Sequence, residues 1–373
     1  MLIRLTKITP SIDVFVVNYN GVRFLKECLP SLSKMTWPNF KVYVVDNGST
    51  DESIDFVREH YPRVSVVRIR ENIGFSRASN LAVKQSAADF VCYLNNDVVV
   101  TPDWLSVLME EFRDPNVALA VPKMYDFHGR LNATGGVCDL YGFAYNRGIG
   151  QVDRGQYDQA GDVAYGCLGA ALVRRSVFDE IGYLDESYIR YHEDLDFSWR
   201  LILKGYRVRY NPKSIVYHHH MGTNIASGRS TIIGWWERNR FKTLLKNYRI
   251  KTLVTILPTI AILKVLHILY ATTVNHDARE VRAVLSAYLW NMIYLKDTIR
   301  ERRRFRSLGL VPETELTRLL IRWSLELRLG LGKIYHPIAR PGPGFMLSHA
   351  YQESLPPKPT VKAEVRKRAT PKA

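Results

Sequence analysis

Cysteine is scarce in this 373-residue chain. Cys28, Cys92, Cys138 and Cys167 stand far apart, with neither metal-ligand spacing nor the density of a disulfide framework. A reducing compartment is the simple expectation. Residues 1–12 hold no apolar core of the kind a secretory leader needs, so the folded part is expected on the cytoplasmic side. The uncharged part of the apolar stretch at 253–274, residues 252–263, falls short of the ~20 residues of a spanning helix, and so does the run at 283–295. Negative charge is the third deficit, with 36 Asp and Glu against 52 Lys and Arg and a net charge of +16. Such an excess calls for an acidic partner: nucleic acid, an anionic membrane or a phosphorylated substrate. Residues 226–306 alone carry 16 basic and 5 acidic residues, in a stretch that is also apolar and contains tryptophan. No recognised nucleic-acid motif accompanies them, so a basic nucleic-acid-binding α/β protein is the disfavoured reading.

What is present is a regular alternation. Residues 12–17, 40–45, 64–69, 90–95 and 117–121 are short apolar runs that read as strands, separated by helical segments at about 22–35, 52–61, 75–87 and from Pro102 onward. Elements alternating at these lengths predict an α/β fold with a doubly wound, mostly parallel sheet. Residues 132–161 lose the period in glycine- and tyrosine-rich loops placed to wall a binding site. Regularity returns with a strand at 168–173, a helix from His192 whose Leu195, Trp199 and Ile202 mark a buried face, and short strands at 207–210 and 214–217.

Polar clusters close these strands, and in open α/β sheets ligands bind beyond the carboxyl ends of strands. Phe90-Val91-Cys92-Tyr93-Leu94 ends in Asn95-Asn96-Asp97, a carboxylate with amides beside it, which suits a divalent cation carrying phosphates. Glu193, Asp194 and Asp196 crowd the first turn of a helix, where the helix dipole alone favours acids.

The succession Val16-Val17-Asn18-Tyr19-Asn20, Val44-Val45-Asp46-Asn47-Gly48-Ser49, Asn72-Ile73-Gly74-Phe75, Leu94-Asn95-Asn96-Asp97, Gly182-Tyr183-Leu184-Asp185-Glu186, His192-Glu193-Asp194-Leu195-Asp196 and Val216-Tyr217-His218 resembles the family 2 inverting glycosyltransferases, within them the rhamnosyltransferase-type members. The resemblance covers about residues 12–224 and implies a GT-A fold. It implies that Asp46 binds the nucleotide base and that Tyr19 touches it. Asn95 and Asp97 fill the first and last places of the D-x-D motif, with Asn96 between them, so Asn95 approaches the ribose and Asp97 holds the metal. Asparagine at the first place departs from the acidic pattern and leaves Asp97 as the only charged ligand there. His218 matches a histidine that some members add to the metal shell, with His220 as the alternative on the same face. An imidazole tilts the expected ion from magnesium toward manganese. Asp194 matches the catalytic base, which inversion requires to take the acceptor hydroxyl's proton. Glu193 and Asp196 orient the acceptor or shape the helix end. Arg77 replaces part of a glycine-rich run and either reaches the diphosphate or lies on the surface of its helix.

The expected organisation is a catalytic domain at 1–224, with a nucleotide-sugar half at about 10–125 and an acceptor half at about 126–224. A basic, apolar helical region follows at 225–355 and a disordered basic tail at 356–373. Tryptophans and cations beside short apolar helices fit an in-plane or re-entrant contact with an anionic leaflet; soluble helices packed on the catalytic domain are the other reading. The expected partners are a dTDP- or UDP-sugar and a glycan or lipid-linked acceptor, with no nucleic acid. The expected place of work is the cytoplasmic face of the membrane. A polyprenyl-phosphate glycosyltransferase is the rival within chemistry, because its acceptor has no hydroxyl to deprotonate.

Overall fold

The computed structural model describes residues 9–219 and 228–325; His220 and the expected tail at 356–373 lie outside the described residues. In chain order the elements are β1 (Ile12–Asn18), α1 (Val22–Leu32), β2 (Phe40–Asn47), α2 (Ser53–His60), β3 (Ser65–Ile69), α3 (Phe75–Val83), β4 (Phe90–Asn95), β5 (Val98–Val100), α4 (Trp104–Glu111) and β6 (Val117–Tyr125). Short strands follow, β7 (Leu131–Ala133), β8 (Gly136–Cys138), β9 (Ala144–Asn146) and β10 (Gly161–Asp162), then β11 (Ala170–Arg174), α5 (Val177–Ile181), α6 (Glu193–Leu203) and β12 (Arg207–His218). The chain continues in helices α7 (Arg229–Asn247), α8 (Ile250–Thr273), α9 (Ala278–Ile293), α10 (Leu295–Arg306) and α11 (Thr314–Thr317).

The main sheet runs β10-β12-β6-β11-β4-β1-β2-β3. β3, β2, β1 and β4 are parallel, and β12 is parallel to β6. β11 runs antiparallel to both β4 and β6, the departure from the expected parallel order. Its reversal follows from the path of the chain, which reaches Gly169 beside Asn95 at the carboxyl end of β4 and so must run back along it. The order β3-β2-β1-β4 reverses direction between β1 and β4, and such a switch point opens a crevice outside the carboxyl ends of the strands.

Alternation along β4 explains the two layers. Phe90, Cys92 and Leu94 pack with Val14, Leu25 and Trp104 on one face, while Val91 and Tyr93 pack with Ala78, Phe178 and Phe197 on the other. The second of these cores does not stop at the sheet: Leu244 of α7, Tyr248 just after it, and Ile256 and Ile260 of α8 belong to it. All described residues fall in one compact unit. The domain boundary expected near 224 is therefore crossed by a continuous core, because α7 buries its side chains against α6 rather than standing apart. α8 also differs from expectation, for it continues unbroken through Pro258, Lys264 and His267 for 24 residues.

Candidate active site

The carboxyl ends of β1, β2 and β4 are knitted by short polar side chains. Asn96 Nδ2 donates to Asn18 Oδ1 at 2.7 Å, and Asn18 Nδ2 lies 3.2 Å from Ser49 Oγ and 3.5 Å from Asp46 Oδ1. Asp46, Asn18 and Asn96 are all buried, whereas Tyr19 beside them is 38 % exposed. The Asp51 carboxylate joins the first two loops, accepting from Val22 N at 3.0 Å and Ser53 N at 3.1 Å, so it serves the first turns of α1 and α2 together. A methyl group on Gly21 would meet Asn96 Nδ2 at 2.0 Å and Asn18 Oδ1 at 2.6 Å. Gly21→Ala is therefore expected to break the Asn18–Asn96 bond and lower stability by about 1–3 kcal/mol, read as a shift in denaturation midpoint; an unchanged midpoint would mean the loop has slack.

Asp97 and His218 meet because β5 pairs with the end of β12, setting His218 opposite Val98. Asp97 Oδ1 lies 3.1 Å from His218 Nε2, and His219 N donates to Asp97 O at 3.0 Å. Burial acts to raise the Asp97 pKa, but the His218 ring overrides it and holds the carboxyl below its ordinary value. His218 Nδ1 is 3.1 Å from Asn132 Oδ1, an acceptor, so Nδ1 carries a proton and the Nε2 edge of the ring is the one turned to the carboxylate. One carboxylate oxygen and one imidazole nitrogen converging in this way fit a divalent cation. Among the described residues no third His, Cys, Asp or Glu joins them, so the rest of such a shell falls to diphosphate and water. His219 points elsewhere, stacked on Phe127 with ring centroids 3.9 Å apart and 3.1 Å from Glu27 Oε2.

Two further expected residues are placed apart from that pair. Asn95 N donates to Gly169 O at 2.9 Å, which sets it beside the strand-entry segment before β11. The Arg77 side chain is 60 % exposed and pairs with Glu186 Oε2 at 3.7 Å, the surface alternative of the two.

Glu193 and Asp194 begin α6 behind an unusual turn. Tyr191 and His192 both have φ of +67°, a left-handed conformation that costs about 1–3 kcal/mol per residue. α7 holds the turn: Asn239 Nδ2 donates to Arg190 O at 2.7 Å and Tyr191 O at 2.9 Å, and the His192 ring meets Trp236 edge-on at 5.4 Å. Burial, and then the Arg240 charge, push the His192 ring down to about 3, so it stays neutral beside the acids. Burial raises the pKa of Asp194 against the lowering pull of the Leu195 N–H, which donates to Asp194 Oδ1 at 2.8 Å. Glu193 is raised by burial first and by the Asp194 charge second, and its Oε2 is buried with no hydrogen-bond partner among the described residues. The two acids thus hold protons well above the ordinary carboxylate range. Burial and the Asp194 charge push the Cys167 thiol up to about 12, and Gly166 N donates to Ser198 Oγ at 3.1 Å. The segment from Gly166 to Gly169 thereby spans from α6 to Asn95 and brings the acids to the same end of the sheet as Asp97.

Asp196 faces the opposite way. It is fully buried, with Arg200 Nε at 3.0 Å, Lys246 Nζ at 2.9 Å and Asn247 Nδ2 at 2.9 Å. Burial alone would raise it, yet Lys246 and Arg200 hold it below its ordinary value, and its carboxylate is committed to the helix rather than open to an acceptor. Lys246 and Lys242 each also reach Asp185 Oδ2 at 2.8 Å. These α7 residues were not anticipated as parts of the site. Their signal was present: Asn239, Thr243, Lys246 and Asn247 recur at helical spacing, a polar stripe that reads as the solvent face and is in fact the buried one. A cavity of about 270 Å³ lies at the other end of α6, between Gly205, Arg207 and Val311, away from all of these groups.

Comparison with known proteins bears on the fold and the family. The chain is 31% identical over 240 residues to the Pre-mycofactocin glycosyltransferase of Mycobacterium tuberculosis, covering 61% of this chain and 46% of that one. It is 27% identical over 267 residues to the N-acetylglucosaminyl-diphospho-decaprenol L-rhamnosyltransferase of the same species, covering 61% and 87%. The chain spans about a quarter to about a half of the length of several other curated relatives. Among solved structures, GalNAc-T7 with UDP, GalNAc and Mn2+ shares the fold, with a TM-score of 0.53 at 16% identity over 64% of this chain and 48% of that one. Residues 13–182 match the model of Glycosyl transferase family 2, so the chain carries a domain of that family, folded as a GT-A sheet.

Proposed function

We propose that the chain transfers a sugar, rhamnose in the first instance, with inversion from a nucleotide diphosphate donor to a hydroxyl of a glycan or lipid-linked acceptor at the cytoplasmic face of a membrane. The observation that carries this reading is the acid pair Glu193–Asp194 at the start of α6, raised in pKa by burial and set at the same end of the sheet as Asp97 and His218. A carboxylate whose pKa has been raised toward neutrality is a stronger base than an exposed one and suits removal of a hydroxyl proton. Asp194 takes that proton, and Glu193, the more strongly raised neighbour, stays protonated and keeps a second negative charge out of the pocket. Asp46, Tyr19 and Asn95 serve the nucleoside, with Asn96 fixing the loop through Asn18. Asp97 and His218 would hold a divalent cation, which supplies charge neutralisation at the departing diphosphate. Rhamnose is supported by the similarity to the mycobacterial rhamnosyltransferase, and a polyprenyl-phosphate acceptor is disfavoured because it would leave the raised acid pair without work.

The test is transfer by the purified chain from a panel of dTDP-, UDP- and GDP-sugars, with the anomeric configuration of the product read by NMR. A product that retains the donor configuration, or no consumption of any donor, would overturn the reading. Asp97→Ala is expected to cut turnover at least about 10²-fold with the fold intact, as for loss of charge stabilisation at a leaving group. Excess chelator should do the same to the parent, with manganese restoring activity at least as well as magnesium; full activity in chelator would refute the cation site.

A further inference from the structure

The helical region presents a surface that this chemistry does not use. α8 spans 24 residues, about 36 Å at 1.5 Å per residue, and is long and apolar enough to cross a membrane. Its two sides differ sharply. Inward, Lys264 Nζ meets Glu237 Oε1 at 2.9 Å and His267 Nε2 lies 2.8 Å from Glu280 Oε1, all four side chains buried. Outward, Val254, Ile262, Val265 and Leu269 are 52–66 % exposed, and on α9 Leu289 and Met292 are 57 % and 72 % exposed. Exposed cations neighbour these helices in the chain, Arg249 and Lys251 at the start of α8 and Arg303, Arg304 and Arg300 on α10, the last paired with Asp297 Oδ1 at 3.1 Å.

We infer that this face rests on an anionic bilayer, with α8 and α9 lying in the plane of the interface. Length alone would let α8 span, but its buried polar side chains, Lys264 and His267, are locked to α7 and α9 along one side, so lipid can reach only the other. A second copy of the chain fits less well, because a twofold contact places like patches together and would set these arginines against their own equivalents. Anionic headgroups complement the cations while acyl chains take the apolar strip. The inference deepens the membrane element of the proposed function, but stands on the helices alone; vesicle binding and donor hydrolysis are separate measurements, so either reading can fail without the other.

The experiment is co-sedimentation of the full chain with vesicles of phosphatidylcholine alone and of phosphatidylcholine mixed with phosphatidylglycerol. Binding is expected to the mixed vesicles and to weaken as salt screens the arginines. Ile262→Asp/Leu269→Asp/Met292→Asp should lower the partition coefficient roughly tenfold or more on both compositions, with donor hydrolysis and circular dichroism unchanged. Arg300→Ala/Arg303→Ala/Arg304→Ala should weaken binding only to the anionic vesicles. A parent that stays in the supernatant with every vesicle, or an apolar-face variant that binds as well as the parent, would overturn the inference. So would light scattering that shows a dimer dissolved by the apolar-face variant, which would assign the face to a second copy. Resistance of the membrane-bound chain to alkaline extraction would instead make α8 a spanning helix.

Discussion

Asp194→Asn is expected to lower turnover by roughly 10²–10⁴-fold while donor affinity stays near that of the parent, the pattern of a lost general base. The change is isosteric, and the Leu195 N–H can donate to the amide oxygen as it does to Asp194 Oδ1, so the start of α6 should survive. Direction of pH dependence gives a second readout. The Asp194 pKa is raised by burial, so the parent rate should climb with pH through a window above the ordinary carboxylate range, and that limb should vanish in the variant. Stability moves the other way. A carboxyl whose pKa is higher in the folded than in the unfolded chain binds more protons when folded, so its contribution is present at low pH and is lost as pH rises through the raised value. Asp194→Asn should therefore melt higher than the parent at neutral pH, a gain in stability matched to a loss in rate. Glu193→Gln, which keeps a neutral side chain where Glu193 is already protonated, should be milder. A dead Glu193→Gln beside a near-normal Asp194→Asn would exchange their roles.

Lys246→Met should cost about 3–5 kcal/mol of unfolding free energy, the size of effect seen when one member of a buried ionic network is removed. Asp196 is fully buried and would keep only Arg200 as a cationic partner, while Asp185 would keep Lys242. The double variant Lys246→Met/Asp196→Asn should lose less than the sum of the two single changes, since neither then leaves a naked charge; additivity would show that the two groups do not communicate. Turnover should fall along with stability in Lys246→Met, because Asp196 lies two residues beyond the proposed base on the same helical turn. The same reasoning predicts that a chain ending near 224 loses the site as well as the helices, since Asn239 also releases the left-handed turn at Tyr191 and His192.

The sheet and its polar strand ends were legible because each depends on local pattern. Strand β4 announces itself by an apolar run that breaks at Asn95, and the meeting of Asp97 with His218 followed from a family resemblance spread over seven short motifs. Other features depend on partners distant in the chain and leave no local mark. The antiparallel run of β11 is set by the route of a long loop, not by its own residues, which read equally well in either direction. Asp196 looked like a helix-end acid facing an acceptor because its partners Lys246 and Asn247 lie about fifty residues downstream. Arg77 was open between two roles, and the partner that places it at the surface, Glu186, lies in another motif. The 24-residue length of α8 was masked by Pro258, Lys264 and His267, which look like interruptions until the two polar side chains find Glu237 and Glu280.

The way α7 grips both the turn before α6 and the first turn of α6 itself bears on how such chains exchange parts. A C-terminal region tethered only by a linker could be traded between relatives as a cassette, giving one transferase the address of another. Here a graft made at residue 224 would pair one parent's Tyr191–Asp196 with another parent's Asn239, Lys246 and Asn247, and the buried charges would no longer match. The inheritable module is instead the acid turn together with its strap, and chimeras should be viable only when the crossover falls before Asp185 or after Asn247.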